Sequence, residues 1–226
     1  MTGMKIIVFG ATGMVGQGVL RECLRAPDVG AVLTIGRSAT GVRDPKLREL
    51  VLPDLQNYTA VEDQLRGFDA CLFCLGASTV GLDEAQYTRI NHDLPLAAAR
   101  VLARLNPAMT FIYVSGTGTG TRAVMWAQVK GRTEQALLQL PFKAAYMFRP
   151  GVIQPLHGAR SKTPLYRAFY ALASPLLSAA WRLWPRQVLS TEDVGLAMLE
   201  AARRGAPQAV LEPPALRALA ERCRDD

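Results

Sequence analysis

Trp126 and Lys130 stand four residues apart in the stretch AVMWAQVKGRTE, so on a helix they share one face, a turn apart. The lysine ammonium offers three N–H donors and a positive charge. The indole N–H only donates and does not ionise near neutral pH, so Trp126 can hydrogen-bond a carbonyl oxygen but cannot protonate it. A second set lies near the start, where GATGMVG follows the apolar run KIIVF. At a strand-to-helix turn this spacing suits a pyrophosphate. Gly10 allows the tight turn, Gly13 lets the backbone approach the phosphates, and Gly16 lets the helix pack on the strand. The loop and first helical turn, through Thr12, Met14 and Val15, then face the phosphates with their amides.

The end of the second apolar run selects the nucleotide. TIGRS offers Arg37 and no acid before Asp44. A guanidinium matches a ribose 2′-phosphate and gives a hydroxyl nothing special, so NADP(H) is expected over NAD(H). Asp54, followed by Leu55, is expected at the end of a third strand, accepting from an adenine amino group; its plainer reading is a turn residue after Pro53.

Elements of a definite kind must position these groups. KIIVFGA, AVLTIG, ELVLPDL, DACLFCLG, MTFIYVSG and KAAYMFRPGVI read as six strands. Helical spacing falls between them, through VGQGVLRECLRA, about 59–66, 83–105 with Pro95 as a kink or restart, and 123–140. Strands alternating with helices predict an α/β fold, a doubly wound parallel sheet covered on both faces. The strands are continuous apolar runs, as burial on both faces requires. STEDVGLAMLEAARRG reads as a capped helix, with Thr191 or Ser190 at its start, acids in its first turn and Gly205 at its end. The expected organisation is a nucleotide-binding core over 1–155, then residues 156–226 as a small cap segment with C-terminal helices on the same domain.

Composition narrows the class. The 226 residues are about half apolar, enough to bury one full core. No 18-residue apolar run free of charge is present, and the apolar stretch after Lys5 is too short for a signal-peptide core, so a cytoplasmic protein is expected. Of the four cysteines, Cys71 and Cys74 fall three apart on an apparent strand and point to opposite faces, so structural thiols are expected rather than a disulfide or metal site. Residues 94–191 hold 12 Lys and Arg and one carboxylate, Glu134, which suggests an anionic ligand or surface opposite them.

In order along almost the whole length, GATGMVG, IGR, CLGAS, INHD, YVSGTG, QVKGRTE and FRPGV give a sequence that resembles the atypical short-chain dehydrogenase/reductases. These are Rossmann-fold, NAD(P)-binding, epimerase/dehydratase-like proteins; the likeness is greatest to the Tat-interacting-protein oxidoreductase branch. The resemblance implies that Leu75, Gly76 and Ala77 run along the cofactor. It makes Ser115 the substrate-orienting serine and Lys130 the ribose-binding lysine, with Pro150, Gly151 and Val152 flanking the nicotinamide. It also marks a departure: where the family has Tyr-x-x-x-Lys, this chain has Trp126-Ala-Gln-Val-Lys130. Three readings stay open at this point. One is a reductase with a substitute proton source, such as water, a relay through Lys130, or another tyrosine such as Tyr113. Another is a catalytically weak NADPH-binding regulatory or redox-sensing protein. The third is a protein docked peripherally on a membrane through residues 155–190. The expected partner is a small-molecule substrate or an unnamed protein, not nucleic acid, and the expected state is a monomer or homodimer.

Overall fold

The computed structural model describes residues 3–121, 124–160 and 188–225. Seven strands form one parallel sheet: β1 (Met4–Phe9), β2 (Val29–Gly36), β3 (Leu47–Val51), β4 (Ala70–Phe73), β5 (Thr110–Val114), β6 (Ala144–Phe148) and β9 (Val210–Leu211), in the order β3-β2-β1-β4-β5-β6-β9. The order reverses between β1 and β4, which opens a crevice beyond their C-terminal ends. A separate parallel pair joins β7 (Val152–Gln154) to β8 (Val188–Ser190).

The apolar runs serve two cores at once, because successive residues of a strand face opposite sides. Ile6, Val8, Ala70, Leu72 and Ile112 pack against α1 (Met14–Arg25), α5 (Thr191–Arg204) and α6 (Pro213–Asp225). Ile7, Phe9, Cys71, Phe73, Phe111 and Tyr113 pack on the other side, against α3 (Leu94–Leu105) and α4 (Met125–Leu138). On that second face Phe9 stacks on Phe73 at 4.8 Å, and Phe73 on Phe111 at 6.0 Å. Cys71 and Cys74 fall on opposite sides, as their spacing requires.

Several elements differ in extent from the sequence reading, each for a local reason. β3 ends at Val51; beyond it Pro53 has no N–H for the ladder, and the Asp54 carboxylate accepts from Gln56 N at 3.0 Å in a turn. The helix expected over 59–66 is a 3-10 run, Thr59–Leu65. The long helix over 83–105 is broken into α2 (Glu84–Thr88), a wide π turn (Arg89–Asp93) and α3. The last expected strand divides into β6 and β7 at Pro150. The short strand β9 was not read from the sequence at all, two residues being too few to show a period.

α5 begins as its residues dictate. Ser190 accepts from Asp193 N, and the Asp193 carboxylate accepts from Ser190 N at 2.7 Å, a reciprocal cap. Among the described residues no helix is long and apolar enough to cross a membrane. The segment on which the cap and membrane readings turn lies mostly at 161–187, outside the described residues.

Candidate functional site

A cavity of about 840 Å³ opens at the C-terminal ends of β1, β2 and β4. Its floor is the turn from β1 into α1. Gly10 has φ +75°, and an added Cβ would lie 2.6 Å from Leu75 N, so only glycine lets the ends of β1 and β4 come this close. Gly16 stands behind the loop; its Cβ would meet Gly10 O at 2.1 Å. The start of α1 has no side-chain cap and no acid in its first turn. Its amides therefore stay available to an anion in the cavity that Thr12, Gly13, Met14 and Val15 line.

Arg37 and Ser38 line the far end, Arg37 exposed and in no ion pair among the described residues. The sequence reading missed the carboxylate that joins them there. Glu49, one strand over, accepts from Thr40 N at 2.7 Å and Thr34 Oγ1 at 3.3 Å, and so holds the loop that carries Arg37. Its signal was the β2–β3 register, which sets Glu49 opposite Thr34 and which no local motif announces. Asp54 and Leu55 do not line the cavity. Leu55 is buried in the core, where its carbonyl accepts the Tyr58 hydroxyl.

Leu75, Gly76 and Ala77 form the opposite wall. Asn91, quoted in INHD without a role, holds that wall: its buried side-chain amide accepts from Ala77 N at 3.2 Å and donates to Ala77 O at 3.3 Å. Pro95, four residues on, has no N–H to offer the Asn91 carbonyl. That carbonyl accepts instead from the Tyr113 hydroxyl at 3.1 Å and from Thr133 Oγ1 at 2.9 Å. Tyr113 is thereby removed as a substitute acid. It is fully buried, its hydroxyl is spent, and burial pushes its pKa well above the ordinary phenol range.

The remaining expected residues gather at the end of β5, apart from this cavity's lining. Lys130 Nζ donates to Ser115 O at 2.9 Å, and the Trp126 ring edge lies 3.6 Å from where a Gly118 Cβ would sit. Thr117 N donates to Pro150 O at 3.3 Å, which ties the Pro150–Gly151–Val152 link to the same loop. The Ser115 hydroxyl donates to the Glu134 carboxylate. Glu134, almost fully buried, is gripped by two nitrogens of Arg149, which also reaches Glu212 at 3.2 Å. The one acid of the basic middle section is thus an internal partner, not a surface charge. Burial lowers the Lys130 pKa to about 8, with Glu134 pulling the other way. Burial also pushes Cys74, which lines the cavity, up to about 12, so it holds its proton at neutral pH. Among the described residues no group of three or more His, Cys, Asp or Glu could hold a metal.

The family model for the NAD dependent epimerase/dehydratase family matches residues 6–125, more than half of the chain and all of the nucleotide cavity's lining. The chain belongs to that family. Within the epimerase/dehydratase family, Leucinostatins biosynthesis cluster protein T of Purpureocillium lilacinum is 32% identical over 141 residues, 61% of this chain and 52% of its own. Protein fmp52-2, mitochondrial, of Aspergillus terreus is 28% identical over 166 residues, 71% of each chain. Protein HTATIP2 of Rattus norvegicus is 25% identical over 156 residues, 68% of this chain and 64% of its own. The match therefore spans about half of the first of these relatives and about two thirds of the others. Among solved structures, Bordetella bronchiseptica WbmF in complex with NAD+ has a TM-score of 0.69 at 15% identity, covering 99% of this chain and 78% of that one. Together these identify an atypical short-chain dehydrogenase/reductase with a Rossmann fold and a nicotinamide dinucleotide as its cofactor. The cytoplasmic expectation is corrected: the FMP52 relatives are named mitochondrial. That expectation rested on the shortness of the apolar stretch after Lys5, which bears on secretory export alone.

Proposed function

We propose that this protein is an NADP(H)-dependent oxidoreductase that reduces the carbonyl of an anionic or apolar small molecule without a tyrosine acid. The observation that carries the cofactor half is the adenosine end of the cavity. Arg37 lines it in no ion pair among the described residues, and the nearby Glu49 carboxylate is already engaged by Thr40 N and Thr34 Oγ1. A 2′-phosphate would meet a free guanidinium there, in the pairing that a bidentate donor suits. The glycine loop and the uncapped start of α1 fit the pyrophosphate. When bound, the reduced nicotinamide supplies hydride; the chain's own residues position the cofactor, exclude water and supply the proton.

Calorimetry with NADPH and NADH tests this reading. Arg37→Ala is expected to weaken NADPH by about 10- to 100-fold, the scale of a lost charged hydrogen bond, and to leave NADH nearly unchanged. Equal loss for both nucleotides refutes the assignment to NADP(H). A second reading, a nucleotide-binding protein of weak activity, draws on Trp126 and on the Ser115 hydroxyl already donated to Glu134. NADPH consumption in the presence of aldehydes and ketones separates the two.

A further inference from the structure

Among the described residues, every phenol is committed elsewhere. Tyr58 and Tyr113 donate to backbone carbonyls in the core. Tyr87 is buried, and the Tyr146 hydroxyl lies against Gly205, past the end of α5. Trp126 carries no ionisable proton near neutrality. His92 turns Nδ1 to Thr133, and the Ser115 hydroxyl goes to Glu134.

What stands at the end of β5 with protons to give is Lys130. One of its three N–H bonds goes to Ser115 O, and among the described residues it forms no ion pair. Its nitrogen lies 5.9 Å from the centre of the Tyr113 ring. The titratable groups that face it are Glu134, one turn along its own helix, and Tyr113 from β5. The Glu134 carboxylate is turned to Ser115 and Arg149 rather than to Lys130, so it does not hold the ammonium in a fixed pair.

We propose that Lys130 is the proton-carrying group of this site, its ammonium giving a substrate oxygen the proton that no phenol among the described residues is placed to give. This role rests on the oxidoreductase reading above. Hydride added to a carbonyl carbon drives the C=O π pair onto oxygen. That oxygen takes a proton from Nζ, one N–H bond breaks as the O–H bond forms, and the neutral amine left behind regains its proton from water. Burial supports the role, since an ammonium with a pKa near 8 gives up a proton far more readily than one in water.

Two measurements test it. The first follows the five lysines by NMR in protein labelled with carbon-13 at the lysine ε position, the Lys130 signal being the one absent from Lys130→Arg. Lys130 is expected to titrate near 8, and titration beside the other lysines near 10.5 overturns the role. The second follows NADPH oxidation with 4-nitrobenzaldehyde against pH. Wild-type kcat is expected to fall above about pH 8. Lys130→Arg is expected to keep NADPH affinity within about threefold and to lose roughly 100-fold in kcat together with that alkaline limb. Ethylamine is expected to restore part of the rate of Lys130→Ala. A Lys130→Arg profile like that of the wild type overturns the proton role and leaves the oxidoreductase reading intact. No turnover by nucleotide-saturated wild-type protein at any pH overturns that reading, and this role with it.

Discussion

Replacing Gly16 by alanine, beside Gly13→Ala, separates what the glycine loop does for the fold from what it does for the ligand. A Cβ at Gly16 would lie 2.1 Å from Gly10 O and 2.6 Å from Gly10 C, against 3.4 Å for ordinary contact. Both obstacles are backbone, so α1 and the loop must part by roughly 1 Å. Overpacking of a core costs about 1–3 kcal/mol, and with no flexible side chain to yield, the upper end applies. For a chain of this size about 3 kcal/mol corresponds to a fall of roughly 6–12 °C in Tm. The same displacement carries the first amides of α1 away from the phosphates, so NADPH affinity should fall by at least about tenfold. Gly13 differs. Its Cβ would meet only Gly10 O, at 3.3 Å, and its φ of −84° and ψ of 164° suit alanine. Gly13→Ala should therefore change stability by less than about 1 kcal/mol, while its methyl enters the cavity and again costs about tenfold in affinity. Thermal unfolding and calorimetric titration with NADPH read the two effects separately. Wild-type affinity in Gly13→Ala would refute the placement of the phosphates against this loop.

Glu134→Gln keeps the shape of the buried side chain but takes away the charge facing Arg149; with Glu212 still in reach of that arginine, the expected loss is about 2–3 kcal/mol in urea unfolding at unchanged slope. A loss under about 0.5 kcal/mol would show that the pair adds nothing net. Three carboxylates among the described residues contribute to the acid limb of stability. Burial alone would raise Asp193, but hydrogen bonds from Ser190 and Arg224 and the charge of Arg217 outweigh it and hold it low. Hydrogen bonds from His157 to Glu192 and from Arg203 to Asp28 lower those two. Each folded value lies below the unfolded one, so each contributes stability above about pH 4 that is lost as pH falls through the lowered values. Asp193→Asn should lower the unfolding free energy at pH 7 and flatten its slope below pH 4; an unchanged acid slope would remove Asp193 from that role.

The sequence made the sheet legible because KIIVF, CLFC and TFIYV are apolar without a break, and only burial on both faces asks for that. The glycine loop was legible for a similar reason, since its spacing answers a local steric demand. Asp54 was misjudged because Pro53 stops β3 early and turns the carboxylate back to Gln56 N. Glu49, Asn91 and the Glu134–Arg149 pair went unread as site residues. Each acts on a partner brought near only by strand register or by helices crossing, which leaves no trace in local spacing. Lys130 was found by its spacing from Trp126, yet its bond to Ser115 O depends on where α4 lies over β5.

The ion pair between Asp28 and Arg203 joins residues 175 positions apart, and α5 and α6 cover the face of the sheet that α1 shares. At roughly 5–20 residues per second, a ribosome takes about 9–35 s to make the intervening chain. For that time Val8 belongs to a strand already synthesised, and Leu72 and Ile112 join it as their strands emerge, while α5 and α6 are still to come. The nucleotide loop is thus complete early and the layer behind it late. A nascent chain with its binding turn formed still presents an apolar sheet face, and chaperone demand is set by that interval rather than by the stability of the finished protein.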